Sequence, residues 1–141
     1  MFAIAPILIP VTPPVSAILI LDTRLRFPRW IGRALRDAGH TAFEATNGAN
    51  AIEQLYQLQT PLDLVIVNPD APGVVDLMLA LQSMQGPPNV IALSEPKNDL
   101  LNSMSRTLTV KNKPAQLNEA AKAEWLSKIE TKFHTAPIRC T

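Results

Sequence analysis

Cysteine is almost missing from this chain, with Cys140 the only one in 141 residues. One thiol makes no internal disulfide framework, so stability must come from an apolar core, and such usage suits a reducing cytoplasm. An excess of charge of one sign is also lacking. Thirteen Lys and Arg face twelve Asp and Glu, which argues against binding driven mainly by the phosphates of nucleic acid. Histidine is scarce: His40 and His134 lie far apart, without a cluster of Cys or carboxylates beside them, and so do not form a metal centre. No Gly-x-Gly-x-x-Gly follows the first strand-like run, and neither a Gly-rich phosphate loop nor a local nucleophile motif appears. These absences argue against a dinucleotide enzyme or a hydrolase.

The opening MFAIAPILIPVTPP has no Lys or Arg before its apolar run, and Pro6, Pro10, Pro13 and Pro14 break any helix. It is therefore read neither as a signal peptide nor as a membrane span, for which it is too short. Residues 1–15 are expected to form an extended Pro-rich arm that stays disordered or lies along an apolar groove or sheet edge, the second compatible with a homodimer. Residues 16–132 make one domain, and 133–141 a tail. A chain of this size buries roughly two-thirds of its unfolded surface, enough for an ordinary core.

What is present is a regular alternation of strand and helix. Ser16 to Leu21, SAILIL, is a wholly apolar strand that stops at Asp22 and Thr23. Pro28 to Ala38 reads as a helix with Trp30, Ile31, Ala34 and Leu35 on one stripe, stopped by Gly39. Thr41 to Ala45 is a short strand, Asn47-Gly48 a turn, and Ala51, Ile52, Leu55 and Leu58 mark the next helix. Leu64 to Val67, LVIV, is a strand buried on both faces, and NPDAPG follows it. Val74, Leu77, Met78, Leu81 and Met84 give a third helix. Val90 to Leu93 is a strand ending at Ser94, and Leu100, Leu101 and Met104 mark a short helix. A weak strand at Leu108 to Val110 precedes Lys113-Pro114, and a last helix runs from about Ala115 to Phe133.

Five strand–helix units with short connections imply a parallel sheet covered by helices on both faces. Asp22, Asn68, Ser94 and Lys113 each follow the carboxyl end of a strand, so all four should meet on one edge of the sheet, where open α/β folds place their ligands.

This order of residues resembles the receiver domain of two-component response regulators, the CheY-like superfamily, across roughly residues 16–132. The segments that carry the resemblance are ILILDT, AGHTAFEATNGANAIEQL, PLDLVIV, NPDAPG, VIALS and Lys113-Pro114. The resemblance implies a flavodoxin-like doubly wound fold of five parallel strands in the order 2-1-3-4-5. In that family one strand ends in an acidic pair that binds Mg²⁺, the central strand ends in a phospho-accepting Asp, and Ser or Thr and Lys contact the phosphoryl group.

The chain departs from that pattern at decisive places. Asn68 stands at the acceptor position, and an amide has no anionic oxygen to attack phosphorus. Thr23 replaces the second acid, leaving Asp22 as the one carboxylate, so Mg²⁺ binding is expected to be weak or absent and no other cofactor is expected. Val110 stands where many receivers have a switching Tyr or Phe. The expected arrangement is a locked pocket in which Lys113 pairs with Asp22 while Asn68 and Ser94 fill the remaining hydrogen bonds. Arg24 or Arg26 is a second candidate to enter the vacated metal position. The run Arg24, Arg26, Arg29, Arg33 and Arg36 is otherwise read as a solvated face.

The expected function is that of a pseudo-receiver, a stand-alone and non-enzymatic module of two-component (phosphorelay) signal transduction. It would contact a histidine kinase or regulator through the face of its fourth helix, fifth strand and fifth helix, in the cytoplasm, without nucleic acid or membrane. The spacing from Ser94 to Lys113 predicts a trimmed fourth helix. Two alternatives stand beside this reading. One is phosphorylation on a nonstandard residue such as Asp70, whose plainer role is a loop or capping aspartate, and the other is a flavodoxin-like ligand-binding domain.

Overall fold

Strands buried on both faces need apolar residues at every position, and the chain supplies them in β1 (Ala17–Leu21) and β3 (Leu64–Val67), where every residue is buried. The computed structural model describes residues 17–58, 61–97 and 99–134, and for 132–134 the backbone alone. The arm expected over 1–15, Ser16, and residues 135–141 of the expected tail, Cys140 among them, lie outside the described residues, while the first two tail positions, 133 and 134, continue the last helix.

Around these two strands run α1 (Arg26–Asp37), β2 (Thr41–Ala45), α2 (Gly48–Gln57), α3 (Val74–Met84), β4 (Asn89–Ala92), α4 (Leu100–Ser103), β5 (Thr107–Val110) and α5 (Glu119–His134). All strand pairs are parallel, in the order β2-β1-β3-β4-β5. This is the flavodoxin-like fold expected from the sequence.

Side chains alternate across a strand, and the alternation sorts the core into two halves. Ile18, Ile20, Leu64, Ile66 and Ile91 pack with α1 and α5, against Phe27, Ile31, Leu35, Trp125 and Ile129. Leu19, Leu21, Val65, Val67 and Val90 pack with α2, α3 and α4, against Ala51, Leu55, Leu77, Met78 and Leu101. On the first side Trp125, 1% exposed, meets Phe27 edge-on with ring centroids 5.1 Å apart.

Apart from shifts of a single residue at element ends, the structure differs from the sequence reading at four places, each with a local cause. The first helix begins at Arg26, because Pro28 fits inside a first turn, where its missing N–H has no helical partner in any case. Asn47-Gly48 is a helix start rather than a free turn, since the Asn47 side chain accepts the Asn50 N–H at 2.8 Å. The last helix begins at Glu119 and not at Ala115. Asn118 starts it, accepting the Ala121 N–H on its side chain, while Leu117 packs on the core from the preceding loop. The fourth strand is Asn89–Ala92, so Ser94 stands two residues beyond it.

The loop after β3 is held by backbone contact. Gly48 N–H donates to the Pro72 carbonyl at 2.7 Å, and the amino end of α2 touches Gly73, whose φ is +82°. A β-carbon on Gly48 would overlap the Gly73 carbonyl. Gly48→Ala is therefore expected to lower stability by about 2 kcal/mol or more in urea unfolding, because the obstructing group is backbone and cannot rotate away. A variant as stable as the parent would show that this loop gives way easily.

Candidate functional site

Asp22 is the first residue past β1, and its backbone N–H still bonds Ala45 O at 3.1 Å, continuing the ladder to β2. Its side chain is 1% exposed, the only charged side chain among the fully buried ones described. A carboxylate so placed needs donors on both oxygens. Oδ1 accepts the Thr23 backbone N–H at 2.8 Å and the Asn68 side-chain amide at 2.9 Å. Oδ2 accepts Lys113 Nζ at 2.9 Å.

Asn68 reaches Asp22 because β1 and β3 are neighbours in register, with Leu21 beside Val67, so the next residue of each strand leaves the sheet on the same side. Its other amide atom is also used, Oδ1 accepting the Asp70 N–H at 2.9 Å, which folds the NPD segment into a tight side-chain turn. The backbone of Asn68 is fixed at both ends as well, by Leu21 O and by the Ala71 N–H. Lys113 comes from the segment after β5, and half of its side chain remains in solvent. An ammonium on a carboxylate at this distance is a charge-assisted bond, stronger than a neutral one.

The remaining candidates are arranged differently. Thr23 contributes its backbone N–H, and its side chain points outward into an exposed position. Ser94 is half-buried but makes no hydrogen bond to Asp22, Asn68 or Lys113 among the described residues, contrary to the expected role. The register explains this: Val67 lies beside Ala92, so Leu93 stands opposite Asn68 and Ser94 falls one step further along. Asp70 is turned away from the cluster, its carboxylate exposed and 3.6 Å from Lys97 Nζ. That pairing with Lys97 carried no sequence signal, since the lysine sits in an irregular segment with no motif. Arg24 and Arg26 line a cavity at the edge of the cluster, together with Asp22 and Lys113, but neither bonds Asp22 among the described residues.

The group that the resemblance implies, Mg²⁺, does not fit this arrangement. Both oxygens of Asp22 face hydrogens of donors, Thr23 in place of a second acid is exposed and carries no charge, and the Asn68 amide turns its nitrogen to the carboxylate. Among the described residues no three His, Cys, Asp or Glu side chains converge as a metal site.

Comparison with known proteins places the fold. No family model matches the chain, and no curated protein matches it in sequence. Among solved structures, a chemotaxis response regulator of Vibrio cholerae is 16% identical, with 82% of this chain covering 99% of that one at a TM-score of 0.58. A response regulator receiver domain from Methylobacillus flagellatus is 19% identical, with coverage of 82% and 99% and a TM-score of 0.57. The signal receiver domain of a protein from Pseudomonas fluorescens is 15% identical, with coverage of 86% and 97% and a TM-score of 0.61. At these identities the likeness is one of fold: the chain has the architecture of CheY-like receiver domains.

Removing the ammonium leaves a buried carboxylate short of one donor, whereas removing an exposed partner leaves nothing stranded. Lys113→Met should therefore lower stability by about 1–3 kcal/mol, a range that allows for the solvent-exposed half of the lysine. Lys97→Met should stay within about 0.5 kcal/mol of the parent. Equal losses in urea titrations of the two variants would contradict the special place given to Lys113.

Proposed function

We propose that this protein is a receiver-like module of two-component signal transduction that works by protein contact and without aspartyl phosphorylation. The observation that carries this reading is the Asn68 amide donating to Asp22 Oδ1 at the position where the family has its acceptor, with Lys113 on the other oxygen. An amide supplies no anionic oxygen for attack on phosphorus, and Asp22, the remaining carboxylate of the metal set, is already bonded by Asn68 and Lys113. The fold likeness to receiver domains supports the signalling role. On this reading the module is not an enzyme, needs no cofactor and binds Mg²⁺ weakly or not at all.

Its partner is another signalling protein, a kinase or regulator, met through the face of α4, β5 and α5. One feature supports that surface: β5 is an edge strand with Val110 38% exposed. The fourth helix is trimmed to four residues and so offers it little area. No described helix is long and apolar enough to cross a membrane. On this reading the module works in the cytoplasm, where a kinase or regulator would meet it.

Incubation with Mg²⁺ and a small phosphodonor, followed by intact-mass measurement, is expected to leave the mass unchanged. An added phosphoryl group would contradict the proposal and favour a nonstandard acceptor, and its loss in Asp70→Asn would identify Asp70. A yellow preparation that releases flavin would favour the ligand-binding alternative instead.

The same assay reads an attempt at repair. Asn68→Asp alone should be phosphorylated poorly, because Thr23 still denies a metal its second acid, and Thr23→Asp added to it should raise the yield. Efficient phosphorylation of the single variant would show that the second carboxylate is dispensable.

A further inference from the structure

On the α1 and α5 side of the Asp22 cluster lies a cavity of about 180 Å³, between the β1–α1 loop and residues 113–117. Its charged lining is Arg24, Arg26, Lys113 and Asp22, and Phe27 and Leu117 contribute apolar wall. Asp22 and Lys113 belong to the pocket that the family resemblance implies, but neither Asn68 nor Ser94 lines this cavity, and Arg24 and Arg26 do, so it extends from that pocket toward the β1–α1 loop.

The charges in this cavity are out of balance. Three cations face one carboxylate, and that carboxylate already accepts three hydrogen bonds. Lys113 donates one of its three N–H groups to Asp22, which leaves two. Arg24 and Arg26 are exposed and, like Arg29 and Arg33 further along α1, have no carboxylate partner among the described residues; what sets them apart is that they line this cavity beside Lys113. The amino end of α1 starts at the same rim with no acidic residue in its first turn and no side-chain cap from Leu25, which adds to the positive field. The volume is room enough for a tetrahedral oxyanion with part of its hydration shell.

We propose that this cavity binds a doubly charged oxyanion of the phosphate class, either free or as the phosphate monoester of a larger molecule. The anion lies against Arg24, Arg26 and the spare donors of Lys113, on the side away from the Asp22 carboxylate. Planar guanidinium groups match such oxygens in pairs, and the apolar wall of Phe27 and Leu117 limits solvent screening on one side. Binding is reversible and makes no covalent bond. It is independent of the signalling role proposed above, because an unchanged mass after phosphodonor treatment says nothing about anion affinity.

Calorimetric titration at low ionic strength tests the site, with inorganic phosphate and phosphoserine as separate probes. The proteins are the parent, the double variant Arg24→Ala with Arg26→Ala, and Arg33→Ala as a control on the exposed face of α1. Saturable binding of one anion per chain by at least one probe is expected. It should weaken about tenfold or more in the double variant and change less than about twofold in the control. Binding by phosphate alone assigns the site to the free ion, and stronger binding by phosphoserine assigns it to a monoester. The proposal is overturned if neither probe binds, if the double variant binds as the parent does, or if Arg33→Ala weakens binding as much as the double variant.

Discussion

One buried carboxylate organises the carboxyl edge of this sheet. Asp22 is almost wholly removed from water, and a charge in such a place persists only if its oxygens are fully bonded. The three donors it needs come from three separate places in the chain: the residue after it, the residue after the central strand, and the segment after the last strand. Packing of β1 between β2 and β3 brings these together, so the cluster is a consequence of strand order as much as of residue type.

The same cluster ties the edge together. Asn68 is bonded through both atoms of its amide and through its backbone N–H and carbonyl, and the loop it starts is pressed onto the amino end of α2 at Gly48 and Gly73. A receiver that switches needs at this position a group whose charge and bonding change on phosphorylation. An amide bonded through its nitrogen to Asp22 and through its oxygen to Asp70 undergoes no such change. The proposed working surface then presents a single shape to a partner.

Much of this was legible in the sequence, for physical reasons. Apolar runs bounded by Asp, Asn and Lys-Pro marked both the strands and the edge on which their polar ends meet, because doubly buried strands tolerate few polar residues. The pairing of Lys113 with Asp22 followed from counting donors and acceptors. What was hidden depended on register or on chain approach. Ser94 carries the residue type of a pocket member, yet it stands one step beyond the position opposite Asn68, and no periodicity reveals that offset. The start of the last helix was masked by Ala115 and Leu117, which suit a helix but pack from a loop before Asn118. The clasp between Gly48 and Gly73 joins two glycines that look like ordinary turn residues in one dimension.

The central claim is that Asn68, Asp22 and Lys113 satisfy one another and leave no metal-dependent switch. It is tested most directly by nuclear magnetic resonance of nitrogen-15-labelled protein during a titration with Mg²⁺ alone. The Asn68 side-chain amide and the backbone signals of Thr23 and Asp70 should keep their positions through millimolar Mg²⁺. A saturable movement of those signals, spreading to Lys113, would show that the cluster opens for a divalent ion and would contradict the account.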